Sequence, residues 1–589
     1  MISGKQNDRE QWKSQFGFLM AALGSAIGLG NIWRFSYMAY DNGGGAFLIP
    51  YLIALITAGI PLLILEFGIG HERIGSAPLA FRKYHKQWEW VGWWAIVFIM
   101  FGIELYYSVI ISWCINYFRF AFNLSWGDNP GHFFESDFLN VSKSPTELGS
   151  IQPEILIGLV IVWIVSWFII YRGVGRGLEL ANKIFMPLLF ILMAILVFWS
   201  MTLDGAWDGL KAYLIPDFSK LTKAKVWLDA YSQVFFSLGL GFGIMITYAS
   251  YLPKKTNITR SALITSLLDS GFAIFAGFAV FAVLGFMANS VGKPVQDVVK
   301  GGPGLAFVAY PAALNAMADK LSPTVGKFFG AAFFLSLVVA GFSSAISIIE
   351  AFVSALVDKF RWNRKVVVSV VAVVGLAGGL IFTTGAGLHW LDIVDHFLTR
   401  YGLVVVGLLE CVVVGWFFRI EVLRHHINQV STLQLGDWWG WTIRMLVPVI
   451  LIAIIGGSLF EEFSKVYGDG KYTIAQLLTI GFGWLMATIM AAVALASARW
   501  VLDVENHASR ADDYQLSVEE SIKPWSPGMF YFFVAISLVI PIVGAFVSLL
   551  EGVISLFKKE RKNQGFVLLI IGFFSLIIWL FIAIIFHFV

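Results

Sequence analysis

Long apolar runs alternate with short polar segments along almost the whole chain. Twelve runs lie near residues 14–37, 43–69, 90–122, 154–171, 180–201, 229–251, 261–288, 325–356, 366–384, 391–418, 442–460 and 473–498, and two more lie near 529–555 and 565–588. Each run is long enough for an α-helix to cross the hydrocarbon core of a bilayer, which takes about 20 residues. The pattern therefore predicts an all-α polytopic membrane protein embedded in lipid.

Composition narrows the class of protein further. Hydrophobic residues make up 58% of the 589 residues, charged residues make up 13%, and the net charge is +3. Soluble domains carry about 25% charged residues, and so few charges could not cover the surface of a soluble protein. This composition excludes a soluble enzyme, a nucleic-acid binder and a disordered protein. Both cysteines, Cys114 and Cys411, lie in apolar runs, so we expect no disulfide framework.

Basic residues are concentrated in every second loop. They are Arg73, Arg82, Lys83 and Lys86, then Arg172 and Arg176, then Lys254, Lys255 and Arg260, and finally Lys359, Arg361, Arg364 and Lys365. Because basic loops remain in the cytoplasm, we expect a plasma (inner) membrane protein with a cytoplasmic N-terminus. The basic segment 558–562 leaves two alternatives open. Either fourteen spans place it outside, or Pro541 and Gly544 turn run 529–555 into a re-entrant element and it stays inside.

The first and sixth runs each contain a cluster of three glycines, at 24–30 and 239–243. Each glycine weakens a helix by roughly 1 kcal/mol relative to alanine, which lipid tolerates only where freed backbone groups line a cavity or bind a ligand. Close helix packing would explain one cluster, but two clusters five helices apart are typical of inverted-repeat transporters. At such a break, bare carbonyl oxygens suit Na⁺ and a helix N-terminus suits a carboxylate.

Four motifs resemble the neurotransmitter:sodium symporter family. They are residues 28–35 (GLGNIWRF), 42–47 (NGGGAF), 246–251 (ITYASY) and 340–344 (AGFSS). The resemblance covers roughly residues 8–500 and implies the LeuT fold, with two inverted five-helix repeats and peripheral helices. The expected organisation is a cytoplasmic segment 1–13, repeats 14–200 and 201–420, peripheral helices 421–500, a cytoplasmic linker 501–528 and a two-helix C-terminal extension 529–589.

The resemblance also implies two sodium sites. The first consists of Ala26, Asn31, Ser237 and Asp269, next to the substrate carboxylate, and the second consists of Gly24, Ile27, Ala340, Ser343 and Ser344. The family commonly has Asn at the position of Asp269, and chloride-dependent members have Ser at the position of Ala273. We therefore hypothesise that Asp269 supplies the charge that chloride supplies elsewhere, and that it takes a proton when the sites empty, giving proton counter-transport.

The resemblance likewise implies a substrate pocket. Its lining is expected to be Ser25, Ala26, Leu29, Gly30, Ile103, Tyr107, Phe236, Ser237, Gly239, Phe242, Ser344 and Ile348. Monoamine transporters of the family have Asp at the position of Gly28, so a glycine there implies a substrate with its own carboxylate. Most of the remaining wall is apolar, which predicts a neutral, hydrophobic α-amino acid, and Gly239 is expected to leave room for a large side chain.

Other charged residues in the runs receive structural or gating roles. Glu104 lies beside the pocket, where we favour a buried partner in the scaffold over a cationic substrate group, and Glu66, Glu350 and Glu410 are expected to bond to helix breaks. Two gates follow from the resemblance. Arg34 and Asp395 would pair across the outer vestibule, and Arg9 and Asp358 would pair at the cytoplasmic mouth, near Trp12, Ser250 and Tyr251.

The leading hypothesis is a Na⁺-coupled, chloride-independent symporter of neutral amino acids that works by alternating access. The alternatives are a Na⁺-coupled transporter of an osmolyte or imino acid, such as glycine betaine, and a non-transporting amino-acid sensor or scaffold. An integral-membrane enzyme has no support, because the sequence lacks a metal-ligand motif, a nucleophile elbow and a phosphate-binding loop. We expect His425 and His426 to be solvated in a cytoplasmic loop.

Overall fold

A computed structural model describes residues 9–298, 302–418 and 420–501. The two-helix extension and almost all of the linker that precedes it lie outside the described residues, as do residues 1–8 of the N-terminal segment.

Twelve helical elements of the described residues account for the first twelve apolar runs. They are α1a (Gln15–Ala26) and α1b (Leu29–Asp41), α2 (Gly44–Arg73), α3 (Lys86–Ala121), α4 (Pro153–Tyr171), α5 (Val174–Ser200), α6a (Ala224–Ser237) and α6b (Ile244–Ala249), α7 (Ile258–Val291), α8 (Pro323–Phe360), α9 (Arg364–Thr383), α10 (Gly387–Phe417), α11 (Asp437–Glu462) and α12 (Ile474–Ser497). Ten of these helices are each long and apolar enough to cross a membrane, and the bent pair α1a and α1b makes eleven. The described residues contain no β-strand, so the prediction of an all-α polytopic membrane protein is confirmed.

Polar side chains begin several of these helices where the sequence predicts loops. The Ser14 hydroxyl accepts a hydrogen bond from the Gly17 amide (2.9 Å), the Asn257 side chain accepts from the Arg260 amide (3.1 Å), and the Ser322 hydroxyl accepts from the Val325 amide (3.3 Å). Each cap satisfies a backbone donor that the first turn of a helix leaves free. The helix starts are thus determined locally.

Burial separates a central group of helices from a peripheral group. In the most apolar stretch of α3 and of α7, 89% of the residues are buried inside the protein, against 28% for α11 and 33% for α12. Since all four helices are similarly apolar, the exposed apolar surface of α11 and α12 faces lipid. The binding elements described below therefore lie in the middle of the bundle.

Two of the central spans are interrupted. Between α1a and α1b the chain bends by 69°, and residues 27 and 28 leave helical geometry. Between α6a and α6b, Gly239, Gly241 and Gly243 have φ values of +62°, +77° and +67°, which other residues adopt only with strain. The glycine clusters in the sequence therefore do mark helix breaks.

Candidate binding site at the two helix breaks

Three polar side chains from separate helices meet where the two breaks approach each other. The Asn31 side-chain amide on α1b donates to Asp269 Oδ1 on α7 (2.7 Å) and to Ser237 Oγ at the end of α6a (3.0 Å). Ser237 Oγ in turn donates to Asp269 Oδ2 (2.6 Å). All three side chains are buried, so the carboxyl group of Asp269 is stabilised by two donors in the middle of the bundle. Ala26, the fourth predicted member, ends α1a and is also buried.

A second group of oxygen atoms joins α1a to α8. Ser344 Oγ donates to the Gly24 carbonyl (3.2 Å), and Ser343 Oγ donates to the Ala340 carbonyl (2.8 Å). Ile27 follows α1a, is fully buried, and has an extended conformation that ends the helix. The structure therefore brings hydroxyl and carbonyl oxygens of the predicted second site together. Both groups offer the hard oxygen donors that a cation such as Na⁺ prefers, so these residues fit the predicted ion.

A cavity of about 580 Å³ lies beside the first group. Eleven of the twelve predicted pocket residues line it, namely Ser25, Ala26, Leu29, Gly30, Ile103, Tyr107, Phe236, Ser237, Phe242, Ser344 and Ile348. Gly239 does not line this cavity, because the Phe242 ring lies 3.2 Å from where a Gly239 side chain would begin. The ring occupies the space that the sequence assigns to a large substrate side chain.

The N-terminus of α1b and the hydroxyl of Tyr107 form a polar end of this cavity. The Leu29 amide donates to Tyr107 Oη (3.4 Å), and the Gly28 amide donates to Asn31 Oδ1 (3.0 Å). A β-carbon on Gly28 would lie 3.0 Å from Ser344 Oγ and 3.1 Å from Tyr107 Oη. Glycine is therefore the residue that leaves this corner free, next to the partial positive charge of a helix N-terminus.

The cavity widens toward the side of the bundle that carries Asp395, which we call the Asp395 side. Arg34 and Asp395 both line it, but they do not form the predicted ion pair. The Arg34 guanidinium instead lies 4.3 Å from the centre of the Phe236 ring, and Asp395 accepts a hydrogen bond from Tyr106 (2.7 Å). The two charges remain apart because the open cavity lies between the helices that carry them.

The opposite side of the bundle, which we call the Arg9 side, is closed. Arg9 donates to both carboxylate oxygens of Asp358 (2.7 and 2.9 Å), to Ser250 (3.0 Å) and to Ser354 (3.0 Å). Burial lowers the pKa of Arg9, but the attraction of Asp358, Tyr251 and Glu350 together outweighs burial, and the net shift is upward. The predicted Arg9–Asp358 contact is thus present, and Arg9 stays charged.

Aromatic side chains complete this closure. The Trp12 indole donates to the Tyr248 carbonyl (2.8 Å) and is 3% exposed, and the Arg9 guanidinium lies 4.8 Å from the centre of the Tyr251 ring. Together with the ion pair, these contacts seal the path from the cavity to the Arg9 side. The structure is therefore open on one side and closed on the other.

Comparison with known proteins identifies the family. The model of the sodium:neurotransmitter symporter family matches residues 9–130 and 126–503, which is most of the chain. The chain belongs to the sodium:neurotransmitter symporter family. An uncharacterized sodium-dependent transporter of Methanocaldococcus jannaschii is 46% identical over 485 residues, which cover 82% of this chain and 97% of that protein.

Relatives with assigned substrates are more distant. The sodium-dependent dopamine transporter of Caenorhabditis elegans is 29% identical over 532 residues, covering 81% of this chain and 85% of the relative. The human sodium- and chloride-dependent taurine transporter is 30% identical over 528 residues, covering 82% and 83%. The protein is thus a sodium-dependent transporter of the symporter family and not an enzyme, while these relatives differ in substrate.

Two polar residues of this symporter were missed by the sequence reasoning. Gln233 lies one helical turn before Ser237, is fully buried, and has no hydrogen-bond partner for either amide atom among the described residues. Asn182 on α5 places Oδ1 2.1 Å from where a Gly24 side chain would begin, so it lies against the second group of oxygens. A lone amide in an otherwise apolar run was the available signal for both residues.

The buried glutamates differ in their partners. Glu66 accepts a hydrogen bond from the Gly241 amide (2.8 Å), as expected for a group that bonds to a helix break. Glu350 does not, because it pairs with Arg364 (2.5 Å) and accepts from the Tyr251 hydroxyl (2.9 Å). Glu410 has one oxygen without a partner among the described residues, and Glu104 has two, so the scaffold partner expected for Glu104 is not found.

The two neighbouring histidines also differ from expectation. Both lie on a helix, Ile420–Val430, and not in an open loop. His425 is exposed, but His426 is buried and its ring nitrogen lies 2.9 Å from that of His71. Within the described residues, no group of three or more His, Cys, Asp or Glu side chains could hold a metal ion, so the pair is part of the packing between α2 and this helix.

Proposed function

We propose that this symporter couples the inward movement of Na⁺ to uptake of neutral, hydrophobic α-amino acids without requiring chloride. The observation that carries the proposal is the buried Asn31–Ser237–Asp269 cluster next to the N-terminus of α1b. A cation at the cluster and a carboxylate at the helix N-terminus would attract each other at close range. Each ligand then binds more tightly when the other is present, which is the thermodynamic basis of coupling.

The carboxylate of Asp269 supports the proposal that transport does not require chloride. In the first sodium site, formed by Ala26, Asn31, Ser237 and Asp269, a carboxylate brings a full negative charge to the bound cation. The donors Asn31 and Ser237 keep both of its oxygens hydrogen-bonded inside the protein. A second anion beside it would be repelled, because charges in a poorly polarisable interior interact strongly.

The second sodium site would be formed by Gly24, Ile27, Ala340, Ser343 and Ser344. Both hydroxyl groups point their hydrogens at carbonyl oxygens of this same set, and they can rotate to present lone pairs to a cation. Since the set bridges α1a and α8, Na⁺ there would hold α1a against the rest of the bundle and keep the Arg9 side closed.

The cavity supports a substrate with a carboxylate, an amino group and an apolar side chain. Leu29, Gly30 and Tyr107 form the polar end, and Ile103, Phe236, Phe242 and Ile348 form apolar wall. Gly28 provides no carboxylate of its own, so an amine without an acid group, such as dopamine, would leave the helix N-terminus unpaired. Because the Phe242 ring covers Gly239, we expect branched aliphatic side chains to fit better than indole.

Alternating access would proceed by closing the Asp395 side and opening the Arg9 side, and we infer that the Arg9 side faces the cytoplasm of a plasma membrane. Binding of Na⁺ and substrate would draw α1b and α6a together and bring Arg34 toward Asp395 over the Phe236 ring. Release would require Arg9 and Trp12 to leave Asp358 and Tyr248, so that α1a moves away from α8.

The test is uptake of labelled leucine into proteoliposomes under an inward Na⁺ gradient. We expect uptake that is abolished without the gradient and unchanged when gluconate replaces chloride. Competition by valine, tryptophan, glycine, proline, taurine and glycine betaine ranks the substrates. Uptake that requires external chloride, or competition by none of the amino acids, would contradict the proposal.

An osmolyte is the second candidate substrate. Three relatives that are 30% identical to this chain are named as taurine transporters, and taurine, like an amino acid, combines an acid group with an amine. Glycine betaine also has a carboxylate that the α1b N-terminus could bind. Stronger competition by taurine or betaine than by leucine would select this candidate, and Na⁺-dependent binding without uptake would instead identify a sensor.

A further inference from the structure

Glu104 is a buried acid that the sodium sites and gates leave without a role. Its side chain is fully buried, and neither carboxyl oxygen has a hydrogen-bond partner. Among the residues that the structure describes, it is the one carboxyl group with both oxygens buried and unpartnered. A buried polar group of this kind requires an explanation, because nearly all others in proteins are satisfied.

Three other buried acids of the bundle show how the protein stabilises a charged carboxylate. Asp269 accepts hydrogen bonds from Asn31 and Ser237, and Asp358 is paired with Arg9. Glu350 is paired with Arg364. An ionised carboxylate with no donor costs several kcal/mol in such surroundings, and the group avoids this cost by binding a proton. The structure therefore indicates that Glu104 is a neutral carboxylic acid in this state.

The position of Glu104 connects it to the substrate cavity. It ends a π-helical segment, Phe98–Glu104, in the middle of α3. Ile103 immediately before it and Tyr107 one turn after it both line the cavity. Wide turns of this kind occur often at functional positions, where they tolerate a shift of the backbone. Movement of this wall during transport would change the surroundings of Glu104.

No titratable side chain of the described residues forms a hydrogen bond with Glu104. The segment Phe98–Glu104 packs against α8, α9, α10 and α12. The helix α12 has no titratable residue over Gly483–Ser497. The titratable side chains of these helices and of α3 that lie nearest to Glu104 have other hydrogen-bond partners. Glu350 bonds to Arg364 and Tyr251, Asp395 bonds to Tyr106, His396 bonds to Glu462, Arg400 bonds to Glu461, and Tyr107 accepts a hydrogen bond from the Leu29 amide.

We propose that Glu104 is a proton-binding site of the transport cycle, separate from both sodium sites; this inference rests on the proposed symport activity. Glu104 holds a proton while the cavity is open to the Asp395 side. When the cavity opens to the Arg9 side and water reaches α3, the O–H bond breaks, the carboxylate keeps the electron pair and water accepts the proton. The empty carrier returns ionised and binds a proton again when the Asp395 side reopens. One proton then moves inward with Na⁺ and substrate.

Proteoliposomes that contain a pH-sensitive dye test this inference. With the membrane voltage clamped, Na⁺-driven uptake of the best amino acid of the panel should acidify the lumen in the native protein. Glu104→Gln has nearly the same shape but cannot release a proton. We expect it to retain Na⁺-driven uptake and to lose the acidification. Glu147→Gln, an exposed acid in the loop between α3 and α4, is the control and keeps both.

Infrared spectroscopy of the purified protein provides a readout that does not depend on flux. The carbonyl band of a protonated carboxylic acid is expected in the native protein and in Glu147→Gln, and a component of it is lost in Glu104→Gln. Native uptake without acidification, or an unchanged band in Glu104→Gln, overturns the inference and leaves symport standing. Absence of Na⁺-driven uptake overturns the proposed function, and the infrared band alone then decides whether Glu104 holds a proton.

Discussion

The two ends of the transport pathway differ in how their charged residues are arranged. On the Arg9 side, one partly buried guanidinium makes four hydrogen bonds, to Asp358, Ser250 and Ser354, and the Trp12 indole bonds to the Tyr248 carbonyl nearby. On the Asp395 side, Arg34 and Asp395 face the same cavity without pairing, and each contacts an aromatic residue instead. One gate is held by buried charges, and the other consists of separated charges that can come together.

This difference indicates which contacts stabilise the state that is open on the Asp395 side. Breaking a buried ion pair costs about 3–5 kcal/mol when one partner is removed, whereas an exposed pair contributes about 0–1 kcal/mol. The Arg9 side therefore determines which side is closed when no substrate is bound. The Asp395 side is free to respond to ligands, and the predictions below separate the two contributions.

The largest expected effect follows from removing the acid of the closed gate. Asp358→Asn leaves the largely buried Arg9 without a charged partner, which costs about 3–5 kcal/mol and should shift the protein toward the state that is open on the Arg9 side. Hydrogen exchange by mass spectrometry should show faster exchange in α1a and unchanged exchange in α2. Glu421→Gln, which breaks the exposed pair with Arg444, is the control. Equal exchange in α1a of both variants would show that the buried pair does not hold this gate.

The next effect concerns the link between the cation and closure of the Asp395 side. Asp269→Asn removes the carboxylate but keeps a side-chain oxygen, so Na⁺ affinity in chloride-free buffer should fall by about tenfold, or about 1.4 kcal/mol. Chloride should then partly restore uptake, since the site needs a negative charge. Uptake by proteoliposomes at graded Na⁺, with and without chloride, measures both effects.

The control for that variant is Asp208→Asn, which alters an exposed acid on a loop helix. It should leave the Na⁺ dependence unchanged. If Asp269→Asn keeps native uptake in the absence of chloride, the carboxylate is not the source of chloride independence.

The breaks were predictable from the sequence because two glycine clusters lie five helices apart, and the positive φ values of Gly239, Gly241 and Gly243 supply the physical reason for the second break. The contact of Asn31 with Ser237 and Asp269 was not predictable from the local sequence pattern, because both residues lie more than 200 positions after Asn31. Only the resemblance to the family placed the three residues in one site. The separation of Arg34 from Asp395 depends on the state of the cycle, which residue type does not encode. The missing partner of Glu104 and the ring over Gly239 depend on side-chain packing.

A smaller effect is expected from the acid of the open gate. Asp395→Asn removes a charge that is not paired with Arg34 in this state, and the asparagine oxygen can still accept the Tyr106 hydrogen bond. The stability of the state that is open on the Asp395 side should therefore change little, whereas closure over bound substrate should lose about 1 kcal/mol and uptake should slow severalfold. A thermal-unfolding curve without substrate measures the effect on the stability of the open state, and the uptake rate measures the effect on closure. A large loss of stability without substrate would show that the gate contributes more to the open state than its geometry indicates.

The smallest effect concerns pH on the closed side. Burial lowers the pKa of Lys83 to about 8, and electrostatic repulsion by Arg9 is the second largest cause of this shift. The Lys83 ammonium group donates a hydrogen bond to the Arg73 carbonyl (2.5 Å). In the unfolded chain the pKa of lysine is about 10.4, so the folded protein binds this proton less tightly than the unfolded chain does. The cost of the buried charge is therefore complete below pH 8 and is relieved as pH rises from 8 toward 10. Relative to Lys83→Gln, the native protein should gain about 2 kcal/mol of unfolding free energy between pH 7 and pH 9.5, a few degrees at most in the unfolding temperature. Groups common to both proteins cancel in this difference, so unfolding temperatures that change in parallel with pH would mean that the Lys83 charge is not a cost to the closed gate.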